Sequence, residues 1–217
     1  MAEHHLTFNF KARYFTSGEI TSTTKHVLFV LHGYGQLAPY FIRKFSTLEN
    51  KDVVVIAPEG LSRFYIDPLE GPGRKTTRVG ATWMTKEDRL TDIENYISYL
   101  DTVFAQTVGS RKIPVSVLGF SQGSATASRW ILSRNIHFDR LILWAGILPE
   151  DMNVEVGAEV LKDKSVVMVY GKQDPFLTDA RFNEMKLLVE KLKTNVDIVT
   201  FEGGHDIDEH TLSGLFS

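Results

Sequence analysis

The chain has 217 residues, 43% hydrophobic and 24% charged, with 24 Lys and Arg against 27 Asp and Glu for a net charge of -3. A chain of this size buries enough surface to hold a core without disulfides or a structural metal, and with no cysteine it excludes thiolate catalysis and Cys-based zinc sites. The slightly acidic balance argues against a nucleic-acid binder, and no apolar run reaches the roughly 20 residues of a membrane span, so no stable membrane insertion is expected.

The first residues, MAEHHLTFNFKARYF, lack an apolar stretch preceded by positive charge and followed by a small-residue cleavage site. No signal peptide is read there, and a cytoplasmic protein is expected. Alternating side chains over residues 6–14 predict a first strand. HVLFVL at 26–31 and DVVVIA at 52–57 are continuous apolar runs, the mark of central parallel strands covered on both faces. A short helix is expected over 39–48. From Pro58 to about Met84 no periodicity is legible, and irregular stretches of such length are usually functional or mobile. Its Arg74, Lys75 and Arg78 read as a solvated basic loop.

A longer helix is expected from near Thr85, where Thr85 and Asp88 have capping-box spacing, with Leu90, Ile93, Ile97, Leu100 and Phe104 as its apolar face. Strands are predicted over 113–119, 140–145, 165–170 and 196–201. Helices are predicted over 122–134, from about 178 with Phe182, Met185, Val189 and Leu192 on one face, and over 208–216. This alternation predicts an α/β fold, a mostly parallel central sheet of about seven strands with helices on both faces. With no repeat or linker, residues 1–217 are expected to form one domain. The stretch between Ala145 and Ser165 is about 20 residues, a loop rather than an inserted lid domain.

The chemistry concentrates where strands end. Gly119-Phe-Ser121-Gln-Gly123 places G-x-S-x-G after a buried strand and before a helix, the context of a nucleophile elbow. A serine hydroxyl needs a base to take its proton and an acid to orient that base. Asp174, in the loop after the 165–170 strand, and His205, in the glycine-rich turn after the last strand, supply both in the chain order of an α/β-hydrolase. Asp179, Asp206 and Asp208 are alternative acids whose usual roles are capping or solvation. Leu31-His32-Gly33-Tyr34-Gly35 follows another central strand; the N–H groups of Tyr34 and Gln122 are the candidate oxyanion donors, and His32 reads as a residue holding the turn. No zinc or phosphate-loop spacing occurs, and no metal site is expected.

These residues resemble the phospholipase/carboxylesterase family of α/β-hydrolases, which includes the acyl-protein thioesterases. The resemblance covers about residues 27–207 and rests on LHGYG, GFSQG, LWAGILP, GKQDP and GGHDI. It implies the α/β-hydrolase fold and a serine hydrolase of carboxylic esters or thioesters. It also implies that no cofactor is used, that Ser121, Asp174 and His205 form the triad, and that Tyr34 and Gln122 are the oxyanion donors. Two residues depart from the pattern: Ser124 replaces a second glycine after Ser-Gln, and Gln36 stands where members often carry Asp. Trp83, Ile147, Leu148 and Phe176 are the candidate walls of an acyl groove, which without a lid would favour a small-molecule ester of short to medium acyl length. A peptidase or amidase using the same triad, or a receptor-like version of the fold with little turnover, remain as alternatives. The oligomeric state is left open, a homodimer included.

Overall fold

The computed structural model describes residues 1–66 and 78–217; the expectation for Arg74 and Lys75 lies outside them. Seven strands form the main sheet: β1 (Tyr14–Ser17), β2 (His26–Leu31), β3 (Val53–Pro58), β6 (Val115–Phe120), β7 (Arg140–Trp144), β8 (Ser165–Gly171) and β9 (Val196–Phe201). Two more, β4 (Ser62–Tyr65) and β5 (Val79–Thr82), pair with each other as an antiparallel hairpin. The sheet order is β1-β3-β2-β6-β7-β8-β9, antiparallel only between β1 and β3. From β2 the chain passes first to β3 on one side and later to β6 on the other, so the order reverses between β2 and β6. In open α/β sheets such a reversal opens a crevice beyond the carboxyl ends of the strands, where ligands bind.

The helices are α1 (Ala38–Phe41), continued by a 3-10 segment Ile42–Leu48, α2 (Arg89–Thr107), α3 (Gln122–Leu132), α4 (Val154–Val160), α5 (Asp179–Leu192) and α6 (Glu209–Leu215). Because successive strand residues face opposite ways, β2 feeds two cores. Val27, Phe29 and Leu31 pack with Leu100 and Phe104 of α2 and Trp130 of α3 on one face. Leu28 and Val30 pack with Phe41, Phe45 and Leu212 on the other. None of the helices among the described residues is long and apolar enough to cross a membrane.

Four expectations are corrected. Residues 6–13 form no strand: pairing begins with Tyr14 opposite Pro58, the last residue of β3, so the preceding residues have no strand to pair with and Leu6, Phe8 and Phe10 are exposed. The capping box does not close. Asp88 is left-handed at φ 44° and caps nothing, α2 begins at Arg89, and the Thr85 N–H donates to Asp92 Oδ2 (3.0 Å). Of the expected apolar face, Leu90 is exposed, Leu100 and Phe104 are buried with Tyr96 and Val103, and Ile93 and Ile97 pack partly buried against the same core. The stretch after Pro58, read from sequence as irregular, holds the strands β4 and β5, whose short mixed sequences SRFY and VGAT carry no clean alternation. Finally, α4 occupies part of the 145–165 connection, started by Asn153, whose side chain accepts from the Val156 N–H (3.0 Å).

Candidate active site

Ser121 stands between β6, buried along its whole length, and α3, with φ 53° and ψ -116°. For a residue with a Cβ this is strained backbone, held because the surroundings over-determine it. A Cβ on Gly119 would lie 2.2 Å from the Gly123 carbonyl, and one on Gly123 2.1 Å from the carbonyl of Leu31. Thus the elbow is pressed onto the end of β2, which only glycines allow. Ser124, where a second glycine is common, is buried; its Oγ donates to the Gly119 carbonyl (2.7 Å), fastening the turn from inside.

Asp174 follows β8, and its carboxylate is fully buried. Oδ1 accepts the Phe176 N–H (2.9 Å), and Oδ2 accepts from His205 Nδ1 (2.7 Å). An ionised carboxylate only accepts, so in that state of Asp174 Nδ1 carries the imidazole proton and Nε2 keeps its lone pair. The His205 side chain is 20% exposed. Its ring lies 4.9 Å from that of Phe120, the residue before Ser121, and edge-on to Phe176 at 4.7 Å. Serine, imidazole and carboxylate are therefore gathered at the carboxyl ends of β6, β8 and β9.

Two of the alternative acids have other partners. Asp206 pairs with Lys44 (2.7 Å), and Asp208 caps α6 through the Thr211 N–H (2.7 Å), bonding that lowers its carboxyl pKa. The Asp179 side chain lies outside the described atoms. Two other histidines are engaged elsewhere: His26 bonds Ser116 through Nε2 (2.9 Å), and His137 packs against Phe104. Among the described residues, the metal-ligating side chains that come together as a group of three are Glu3, His5 and Asp88, all exposed and none shared with this site.

The loop 33–36 presses on the elbow: a Cβ at Gly33 would lie 3.2 Å from Ser121 Cβ. Gln36, the other departure from the family pattern, folds its Oε1 back to accept the Gly33 N–H (2.8 Å). Among the described residues, no acceptor engages the N–H of Tyr34 or of Gln122. Tyr34 follows Gly33, which packs on Ser121, and Gln122 follows Ser121 and opens α3, where the helix dipole favours negative charge. The Gln122 side chain is occupied elsewhere, a role the sequence does not signal. Its Nε2 donates to Thr82 Oγ1 (3.0 Å) and to the Met84 carbonyl (3.0 Å), while Oε1 accepts the Trp83 N–H (3.3 Å).

Behind this loop His32 is wholly buried. Nε2 accepts the Gly60 N–H (2.9 Å), so Nδ1 carries the proton and donates to the Gly33 carbonyl (2.8 Å). Burial pushes its pKa down to about 4 and keeps it neutral. It holds the turn, as its place in the sequence suggests.

The candidate acyl walls divide. Phe176 is 58% exposed, and Ile147 is half-buried. Trp83 and Leu148 are corrected to core residues, 2% and 1% exposed. The Trp83 indole donates to the His32 carbonyl (2.8 Å) and stacks on the His32 ring at 5.0 Å, so it supports the loop from beneath.

A mostly parallel sheet with a serine elbow, and with a buried carboxylate and an imidazole on successive later loops, defines the α/β-hydrolase fold. The chain belongs to the serine hydrolase (FSH1) family, whose model matches residues 21–210. No curated protein matches it significantly. Among solved structures it is similar to Zea mays acyl-protein thioesterase 2, with 17% identity and a TM-score of 0.68 over 95% of this chain and 96% of that one. It is likewise similar to a phospholipase/carboxylesterase from Dyadobacter fermentans (19% identity, TM-score 0.64, 97% and 98% covered). The Bacillus cereus carboxylesterase is a third (16% identity, TM-score 0.65, 94% and 92% covered). At these identities the likeness is one of fold.

Proposed function

We propose that this chain is a carboxylic ester hydrolase, cleaving esters or thioesters of short to medium acyl chains through an acyl-enzyme on Ser121. The observation that carries this reading is the buried Asp174 carboxylate bonded to His205 Nδ1 at 2.7 Å beside the Ser121 elbow. His205 Nε2 takes the Ser121 proton as Oγ attacks the carbonyl carbon, and the resulting oxyanion is met by the N–H groups of Tyr34 and Gln122. The tetrahedral intermediate collapses, Nε2 hands its proton to the departing alcohol or thiol, and water repeats the attack to release the acid. Asp174 keeps the imidazole in the right tautomer and stabilises it when charged. The esterase and thioesterase names of the similar structures support the substrate class.

A fluorophosphonate probe with p-nitrophenyl acetate and butyrate tests the reading. Labelling is expected at Ser121 and lost, with hydrolysis, in Ser121→Ala; Asp174→Asn should lower the rate on the order of 10⁴-fold while the protein stays folded. Wild-type turnover in a folded Ser121→Ala variant would reject the serine mechanism.

A further inference from the structure

The two proposed oxyanion donors come from parts of the chain far apart in sequence, which meet directly where Gly33 packs on Ser121. The β4–β5 hairpin joins them a second time. On one side, the Gly35 N–H donates to the Ala81 carbonyl (2.9 Å) and the Ala81 N–H to the Gln36 carbonyl (3.1 Å), a bridge of β5 onto the loop carrying Tyr34. The approach is so close that a Cβ on Gly80 would fall 2.5 Å from the Gly35 carbonyl oxygen. The ring of Phe64 on β4 lies 5.1 Å from that of Tyr34. On the other side, Thr82 at the end of β5 receives the Gln122 amide (3.0 Å) and turns its own hydroxyl proton onto the Met84 carbonyl (2.9 Å). Three successive residues of one strand thus contact both donor-bearing segments.

We infer that the β4–β5 hairpin is a brace that sets the spacing of the oxyanion donors, with Thr82 the positioning residue for Gln122 and Gly80 for the Tyr34 loop. The inference deepens the proposed function and rests on it. Donors stabilise a developing oxyanion only if they are already aimed at it, so loosening either side of the brace should lower the rate of acyl transfer and leave ground-state binding of the ester alone. Thr82→Val keeps the shape and removes the hydroxyl that, with the Met84 carbonyl and the Trp83 N–H, holds the Gln122 amide. Gly80→Ala adds a methyl that must displace Gly35, and with it Tyr34.

The test is steady-state hydrolysis of p-nitrophenyl butyrate by the full chain, with fluorophosphonate labelling and thermal unfolding on the same preparations. For Thr82→Val, kcat is expected to fall roughly tenfold or more with KM within about twofold, less than the 10²- to 10³-fold of losing a donor outright. Thr82→Ser, which keeps the hydroxyl, should restore kcat. Gly80→Ala should show the same split between kcat and KM if it folds; Thr82→Val and Thr82→Ser decide the matter if it does not. Unchanged kcat in a folded Thr82→Val variant, or a rise in KM with kcat intact, overturns the brace. The two readings fail differently: if Ser121 in the wild type is not labelled, the serine mechanism falls, whereas labelling at Ser121 with an indifferent Thr82→Val rejects the brace alone.

Discussion

A buried histidine ties the stability of this site to pH. The His32 pKa is held at about 4 by burial, against 6.5 for a free histidine. As pH falls through 6.5 the unfolded chain takes up a proton that the folded chain refuses, so stability is fully present above that pH and drains away down to about 4, where the folded form is protonated too. The slope is up to about 1.4 kcal/mol per pH unit, or roughly 3 kcal/mol over the window. His26, whose pKa burial also lowers, acts with the same sign, whereas Asp151 and Asp208, with lowered carboxyl pKa values, lose their contribution only at more acid pH. Urea unfolding at pH 7.5 and 5.0 should show a marked loss for the wild type. His32→Gln, less stable at pH 7.5 because the Gly33 and Gly60 bonds are broken, should show a shallower dependence. An equal slope in both proteins would assign the effect elsewhere.

At the scale of elements, the junction of β8 with the turn after β9 controls the pairing of acid and base. A Cβ on Gly171, the last residue of β8, would lie 2.2 Å from the Gly203 carbonyl and 2.5 Å from that of Gly204. The Lys172 N–H donates to the Phe201 carbonyl (2.9 Å) and the Gln173 N–H to that of Gly203 (2.9 Å), so the acid loop and the histidine turn are sewn together. Gly171→Ala should cost about 1–3 kcal/mol by overpacking, and it should lower esterase activity further than the stability loss explains because His205 moves with the turn. Gly214→Ala in α6, where a Cβ meets nothing within 4 Å, should be neutral or slightly stabilising. Thermal unfolding and ester hydrolysis on the pair check this, and equal behaviour of the two variants would contradict it.

For the whole molecule the expectation concerns acyl length. The 145–165 connection holds the short helix α4 and no inserted domain, and Trp83 and Leu148 belong to the core, which leaves the half-buried Ile147 and the exposed Phe176, the latter against His205, as the candidate wall. Each methylene buried against such a wall is worth about 0.8 kcal/mol, about fourfold in kcat/KM, until the chain passes the wall into water. Across p-nitrophenyl esters from acetate upward, kept below micelle formation, kcat/KM should rise and then level or fall at medium length. A steep rise continuing into long chains would require a covered tunnel.

Sequence alone determined the parts whose cause is local. HVLFVL, VSVLGF and their neighbours are short, mostly apolar and Val-rich runs, the length and composition of covered strands, and G-x-S-x-G between a strand and a helix demands the glycines that the packed turn requires. The pairing of the candidates Asp174 and His205 was legible for the same reason, since each follows a strand at the edge where an open parallel sheet gathers its chemistry. Tertiary structure decided everything that depends on what lies opposite. Alternation at residues 6–14 looks like a strand, but a strand needs a partner, and β3 stops at Pro58. Trp83 has the composition of a pocket wall, yet the buried His32 carbonyl claims its indole N–H and draws it into the core. The hairpin that links the segments carrying the proposed oxyanion donors left no periodic trace, because its short strands are held less by an apolar face of their own than by backbone bonds and one threonine reaching segments far away in the chain.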